Sequence, residues 1–286
     1  RYEPGPKFSL QPFWSQIDVR EDESQPLIFT SGDFLPARIP RNRFLGQKWA
    51  DSEAKLNTFG VVSKGKAIGF DLALGVFRST FKGIMDHTDL LFGVDPAGAA
   101  SDRVVVADRG NLFGSTSGEL KVSRNFIDGP RRHTIHATVR GRALSRRYGG
   151  SDVIQLGPSS TILEDFRNAP VETFGAKTRD HVKQTTLGLG YEMRWLEVGE
   201  LNLGIQKTRY TKQVDDSVVV VPATKDSPLL FSATAAVHLF KNIALYGGYT
   251  RGLEESDVAP VNAVNRNEAP PAIRTQQKDF GVRWSV

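Results

Sequence analysis

Residues 228–240 read PLLFSATAAVHLF. One side of the alternation carries Leu229, Phe231, Ala233, Ala235, Val237 and Leu239, and the other carries Leu230, Ser232, Thr234, Ala236, His238 and Phe240. Successive side chains of a strand point to opposite faces, so a period of two over this length predicts a strand with one apolar face. Soluble strands typically have about five or six residues, whereas a tilted strand that crosses a bilayer needs about 9–11. Asn242–Gly252 and Ile273–Val286 repeat the pattern. Together the three stretches predict an outer-membrane β-barrel.

Working back from these, seven more long strands are expected: Lys7–Arg20, Ser52–Ser63, Ala67–Lys82, Phe113–Phe126, His133–Arg147, Val182–Trp195 and Glu200–Gln213. In the sixth, Leu187, Leu189, Tyr191, Met193 and Trp195 share one face, and Gln184, Thr186, Glu192 and Arg194 the other. No stretch carries a helical period. Short turns are expected at Lys64–Lys66, Ile127–Arg132, Leu196–Gly199 and Lys241–Asn242. They alternate with long connections at Glu21–Asp51, Gly83–Leu112, Tyr148–His181, Val214–Ser227 and Leu253–Ala272. Short periplasmic turns and long extracellular loops alternate in this way in outer-membrane barrels. The fold expected is all-β, an antiparallel up-and-down transmembrane barrel in which residues 1–286 supply about ten strands. Aromatics near strand ends, among them Phe8, Trp14, Phe126, Trp195, Tyr249 and Trp284, suit interfacial girdles. A soluble β-sandwich would also bury aromatics, but the alternation of loop lengths argues against it.

The composition is compatible with this fold. Of 286 residues, 39% are hydrophobic and 24% charged, and no run approaches the roughly 18 apolar residues of a membrane helix. A barrel dilutes the signal, because half of each strand faces a polar interior. The absence of cysteine excludes disulfides and thiolate metal sites. The net charge is +5, yet the basic residues are dispersed and lack an aromatic stacking platform, so no nucleic-acid partner is expected.

Several motifs fail on their own mechanics. Gly60–Lys66 has phosphate-loop spacing, but Ala67 stands where a Ser or Thr would hold magnesium, and no helix follows. Ser79 and Lys82, three apart on a strand, face opposite sides, as do His133 and His136. Asp86-His87-Thr88-Asp89 offers cation ligands, though loops are ordinarily polar. No metal site, cofactor or catalytic residue is therefore assigned. A charge facing lipid at mid-membrane costs about 2–4 kcal/mol, which places Arg140, Arg142, His136, Glu192 and Arg194 on the lumen side. Arginines in the long loops suit an anionic chelate. The candidates are Arg43, Arg109, Arg179, Arg251 and Arg266, with Trp49 and Tyr148 as aromatic neighbours, and each also reads as an ordinary solvated residue.

Residues 242–284 add a resemblance. The stretch Tyr249-Thr250-Arg251-Gly252-Leu253-Glu254, a loop with Ala259-Pro260 and Asn262-Ala263-Val264-Asn265, and a return strand with Thr275-Gln276-Gln277 and Phe280-Gly281-Val282-Arg283-Trp284 resemble TonB-dependent outer-membrane receptors of the siderophore type. The resemblance implies residence in the bacterial outer membrane among its lipids. It implies import of a scarce ligand, most often a ferric siderophore, without catalysis, driven by the TonB complex through a plug domain. It also implies a barrel of about 22 strands, of which this chain, showing no plug or signal peptide, would be an internal piece. The alternative is a complete ten-stranded barrel acting as an adhesin or surface enzyme, for which His87 and His181 with nearby Asp are the only material.

Overall fold

A computed structural model describes the whole chain except residues 1, 6, 23, 37, 217–219, 261–262, 266–267 and 285–286. The described residues form one 14-stranded sheet and contain no helix. Its strands are β1 (Tyr2–Gly5), β2 (Phe8–Glu21), β3 (Leu27–Thr30), β4 (Ser52–Ala67), β5 (Phe70–Val94), β6 (Ala99–Asp128), β7 (Arg131–Tyr148), β8 (Asp152–Ser160), β9 (Thr178–Trp195), β10 (Gly199–Asp215), β11 (Thr224–Asp226), β12 (Leu229–Phe240), β13 (Ile243–Glu254) and β14 (Ile273–Trp284). The main path is β1-β2-β4-β5-β6-β7-β9-β10-β12-β13-β14, in which the ten long strands pair antiparallel with their neighbours. Each corresponds to a segment expected from sequence. Among the described residues β1 does not pair with β14, so the sheet is an open arc of barrel wall.

Two expectations are corrected. Gly83–Leu112 is not a loop: β5 and β6 run through it as a ribbon and meet only at residues 95–98, where the Gly98 amide donates to the Asp95 carbonyl at 3.0 Å. Burial still alternates along β5, with His87, Asp89 and Leu91 buried and Thr88 and Phe92 exposed, but the buried face carries polar groups and the open face an apolar ring, so the hydropathy pattern breaks off there. Nor do Lys64–Lys66 turn. They continue β4, and the chain reverses at Ile68 and Gly69, both at positive φ (50° and 76°). Successive residues at positive φ match the twist of a two-residue hairpin.

The register separates the two faces. Leu189 lies opposite Ile205, which lies opposite Phe231; Tyr191 lies opposite Leu203, which lies opposite Ala233. This face leaves Leu189 62% and Val237 51% exposed. In water so broad an apolar surface would drive association, but against hydrocarbon it is the expected outer belt. The opposite face carries Gln184, Thr186, Glu192 and Arg194. Most of the buried apolar side chains gather toward the loop end, in small clusters such as Leu91–Val94–Ala100 and Leu144–Val182–Tyr210–Ala272.

Candidate functional site

The inner face carries a ladder of charged side chains that climbs toward the loops. His136 sits between Ser123 Oγ (3.0 Å) and the Glu192 carboxylate (2.6 Å). Higher up, Arg140 donates to Glu119 at 2.8 Å. At the top, Arg146 donates to Asp180 at 3.1 Å and to Glu255 at 2.8 Å, and Arg142 lies 3.6 Å from the other Glu255 oxygen. The Lys212 ammonium completes the group, 3.5 Å from Glu255 and 3.8 Å from Asp180, and donates to the Ser256 carbonyl at 2.6 Å. Strand alternation puts these residues on one face, since Arg146 lies opposite Asp180, Arg142 opposite Gln184, and Lys212 opposite Val182.

Lys212 and Asp180 are fully buried, whereas Arg142 keeps 41% of its side chain exposed. The buried pair fixes the frame and Arg142 offers its guanidinium to the lumen, an arrangement suited to an anionic ligand. Asp180 Oδ1 and the Tyr210 hydroxyl are buried here, and among the described residues neither has a hydrogen-bond partner.

A second assembly caps the ribbon. Arg103, buried between strands, clasps Asp89 with two nitrogens and donates to the carbonyls of Leu45 (2.6 Å) and Asp165 (3.3 Å). Gln47 donates to the Asp165 carbonyl at 2.7 Å and accepts from the Arg167 amide at 2.8 Å. The Arg167 guanidinium grips the Asp165 carboxylate at 2.7 and 2.8 Å. That grip holds the Asp165 carboxyl below the usual aspartate range, with Ser159 helping and burial opposing. His87 bridges the Asp51 carbonyl (2.6 Å) and the Glu172 carboxylate (2.7 Å), with the Trp49 ring edge-on at 5.6 Å. Residues 22–51 and 161–177 are thereby tied to the ribbon.

The structure divides the residues that sequence reasoning grouped. Arg43 donates to the Ile162 carbonyl and Trp49 to the Arg167 carbonyl (3.1 Å), so both hold the cap together. Arg109 lies over Phe174 at 5.9 Å, beside the cap. Tyr148 reaches the inner rim opposite Thr178. Arg179 shares the alternation of Leu187 and Leu189 and projects from the outer face. Arg251 does likewise, donating to the Tyr249 hydroxyl at 2.7 Å and covering the Phe231 ring at 4.7 Å. Arg266 lies outside the described residues.

Asp180, Lys212 and Glu255 were missed as a site. Lys212 was legible by alternation with Tyr210 and Thr208, but Asp180 and Glu255 fall beyond the expected strand ends. Asp86, His87 and Asp89 do not converge, since Asp86 accepts from Ser52 (2.6 Å) while the other two serve separate partners. Among the described residues no three His, Asp or Glu side chains are arranged to hold a metal ion. His87 is buried in the cap whereas His181 follows the outer-face alternation of β9, so the two do not form one centre.

Three solved structures share this architecture. BauA, the ferric preacinetobactin receptor from Acinetobacter baumannii, superposes with a TM-score of 0.73 at 14% identity over 99% of this chain. Fiu, the ferric-catecholate import receptor from E. coli, gives 0.75 at 13% identity over 98%. The ferripyoverdine receptor of the outer membrane of Pseudomonas aeruginosa gives 0.72 at 13% over 98%. The fold is that of the barrel wall in these solved structures. The chain spans 43%, 47% and 38% of those three receptors, so what it matches is an arc of the wall, in keeping with the open sheet. No family model matches the sequence, and no curated protein does. In a barrel wall of this kind, the inner ladder faces the lumen and the Leu189–Ile205–Phe231 row faces lipid.

Proposed function

We propose that this chain is part of the barrel of an outer-membrane receptor that takes up a ferric siderophore, with TonB acting through a plug domain. The observation that carries the reading is the inner rim. There, Arg142 presents a half-exposed guanidinium beside an ion network whose buried members, Lys212 and Asp180, are already neutralised. An anionic chelate meeting that surface gains charge-assisted hydrogen bonds without first breaking the frame that aims them. Tyr148 and Arg109, with the tied-down cap, supply the adjoining loop surface. The barrel binds and passes its cargo and performs no chemistry on it.

Growth of a receptor-deletion strain carrying the gene, on a panel of ferric chelates as sole iron source, tests the reading. One chelate should restore growth, and Arg142→Ala should weaken its binding at least tenfold while the barrel remains heat-modifiable on gels. Restoration by no ferric chelate, with the protein present in the outer membrane, would reject it.

A further inference from the structure

A feature of the outer face is left unused by ligand uptake. Immediately above the apolar row Leu189–Ile205–Phe231 the register turns cationic. Lys207 lies between Leu187 and Leu229, Arg209 lies opposite Thr185, and Lys183 lies opposite Thr211. Beyond β12, Arg251 on β13 covers the Phe231 ring, and Lys278 on β14 lies opposite Tyr249, which lies opposite Ala233, so these two flank the row on its own level. All five side chains follow the alternation of the exposed leucines, and all five residues are exposed. Among the described residues none of the five has an acidic ion-pair partner; Lys207 donates to the Ser227 carbonyl at 2.5 Å and Arg251 to the Tyr249 hydroxyl.

Below Lys183, Lys207 and Arg209 the same face holds a groove of about 510 Å³ between β7, β9, β10 and β12. Ile135, Leu189, Leu203, Ile205, Phe231 and Ala233 line it. It is shallow and open along its length, which suits an acyl chain lying along the wall rather than an enclosed small molecule. It opens sideways, toward where lipid would be. The small side chain of Ala233 makes the depression between the larger Leu203 and Phe231.

We propose that this face binds a phosphate-bearing acylated lipid of the outer leaflet, with a tail in the groove and its phosphates on Lys183, Lys207 and Arg209, flanked by Arg251 and Lys278. The proposal rests on the reading of the chain as an outer-membrane barrel whose loop end faces the cell surface. Long cationic side chains at a membrane boundary run their stems along apolar surface and reach headgroup level with their charges. Phosphate is the anion for which a guanidinium offers paired donors. A groove under three cations and flanked by two more, none with an acidic partner among the described residues, asks for a ligand that is apolar at one end and anionic at the other. Free phosphate would leave the groove unused.

The test uses the protein purified from outer membranes in detergent, with retained lipid read by native mass spectrometry. The probes are bis-phosphorylated lipid A, the same lipid after phosphatase treatment, and phosphatidylethanolamine. Wild type should retain the bis-phosphorylated form preferentially, and millimolar inorganic phosphate should not displace it. At roughly fivefold per cation near a headgroup surface, the triple variant K183Q/K207Q/R209Q should bind it about a hundredfold more weakly. Its heat-modifiable migration and ferric-chelate binding should stay unchanged. A second variant, Ala233→Trp, fills the groove and should lower retention with every charge in place, while Lys207→Arg should preserve it. Equal retention of the phosphatase-treated lipid, equal retention by the triple variant, or full displacement by inorganic phosphate would each overturn the site. Ferric-chelate binding without lipid retention would remove the lipid site alone. Lipid retention without binding of any ferric chelate would support the lipid site and remove the receptor reading.

Discussion

Arg103 and Asp89 face each other across the β5–β6 ribbon, both sealed from solvent at 1% and 3% exposure, and the same guanidinium reaches the carbonyls of Leu45 and Asp165. One side chain therefore holds two distant segments against a third. Removing one partner of a buried pair leaves an uncompensated charge and costs about 3–5 kcal/mol. Asp89→Asn should accordingly loosen the cap while the barrel ladder survives. Limited proteolysis should then cut within residues 22–51 and 161–177 at least tenfold faster than in wild type. Unchanged cutting would mean the clasp is dispensable.

A milder lever works in the same place through pH. The Asp165 carboxyl is held below its ordinary range by the Arg167 hydrogen bond. Its contribution to holding residues 161–177 is therefore complete above the unfolded aspartate pKa, near 3.9, and fades as pH falls through the lower folded value. Amide exchange in that segment should be flat with respect to this group from pH 7 to pH 5 and should accelerate only under stronger acid. Asp165→Asn should abolish the acid-dependent step. A step persisting in that variant would point to another group.

His87 lies between two acceptors, the Asp51 carbonyl and the Glu172 carboxylate, each placed to receive an N–H from the ring. His87→Phe keeps the ring contact with Trp49 but leaves both acceptors without that donor. Expected outcomes are faster proteolysis of residues 161–177 and a red-shifted Trp49 emission, with milder effects from Glu172→Gln, whose amide oxygen still accepts. Identical spectra for wild type and His87→Phe would dismiss the bridge.

Register can be read by labelling. Single cysteines at Leu187 and Leu189 should resist an aqueous thiol reagent in membranes, while those at Gln184 and Glu192 should react. Since a slip of one residue exchanges the faces, uniform labelling would reject the assigned register.

The open arc gives a prediction of its own. Unpaired backbone groups along an edge cost several kcal/mol each in hydrocarbon, and strand number sets barrel diameter. Residues 1–286 alone should therefore not refold into a compact species that migrates fast on unheated gels. A fast band that slows on boiling would show that these strands close on themselves.

How much of this could be seen beforehand varies from residue to residue. Leu229–Leu239 and Leu187–Trp195 announced their faces because only one side of each strand meets lipid, so the period of two is undisturbed. Leu90-Leu91-Phe92 and Val104-Val105-Val106 gave no such signal, since the face under the cap carries His87, Asp89 and Arg103 while the open face carries apolar Leu90, Phe92 and Val106, which removes the contrast that alternation needs. The site was half legible. Arg140 and Arg142 go to the lumen on alternation with His136 and Thr138 and on the cost of charge in lipid, but Asp180 and Glu255 depend on how far β9 and β13 rise. Arg251 was placed with the ligand-facing loops, yet parity with Tyr249 turns it outward.

The β5–β6 ladder keeps one register from Asp71 opposite Ser123 to Phe92 opposite Asp102. At about 3.3 Å per residue, it makes a single stiff arm from near the turn at one end of the wall to the cap beyond the other. A ribbon cannot flex in its own plane without shearing its rungs, so a particle leaning on the cap displaces the arm as a unit. The cap and the base of the wall are therefore the two ends of one continuous hydrogen-bonded piece, with no shift of register between them to act as a hinge.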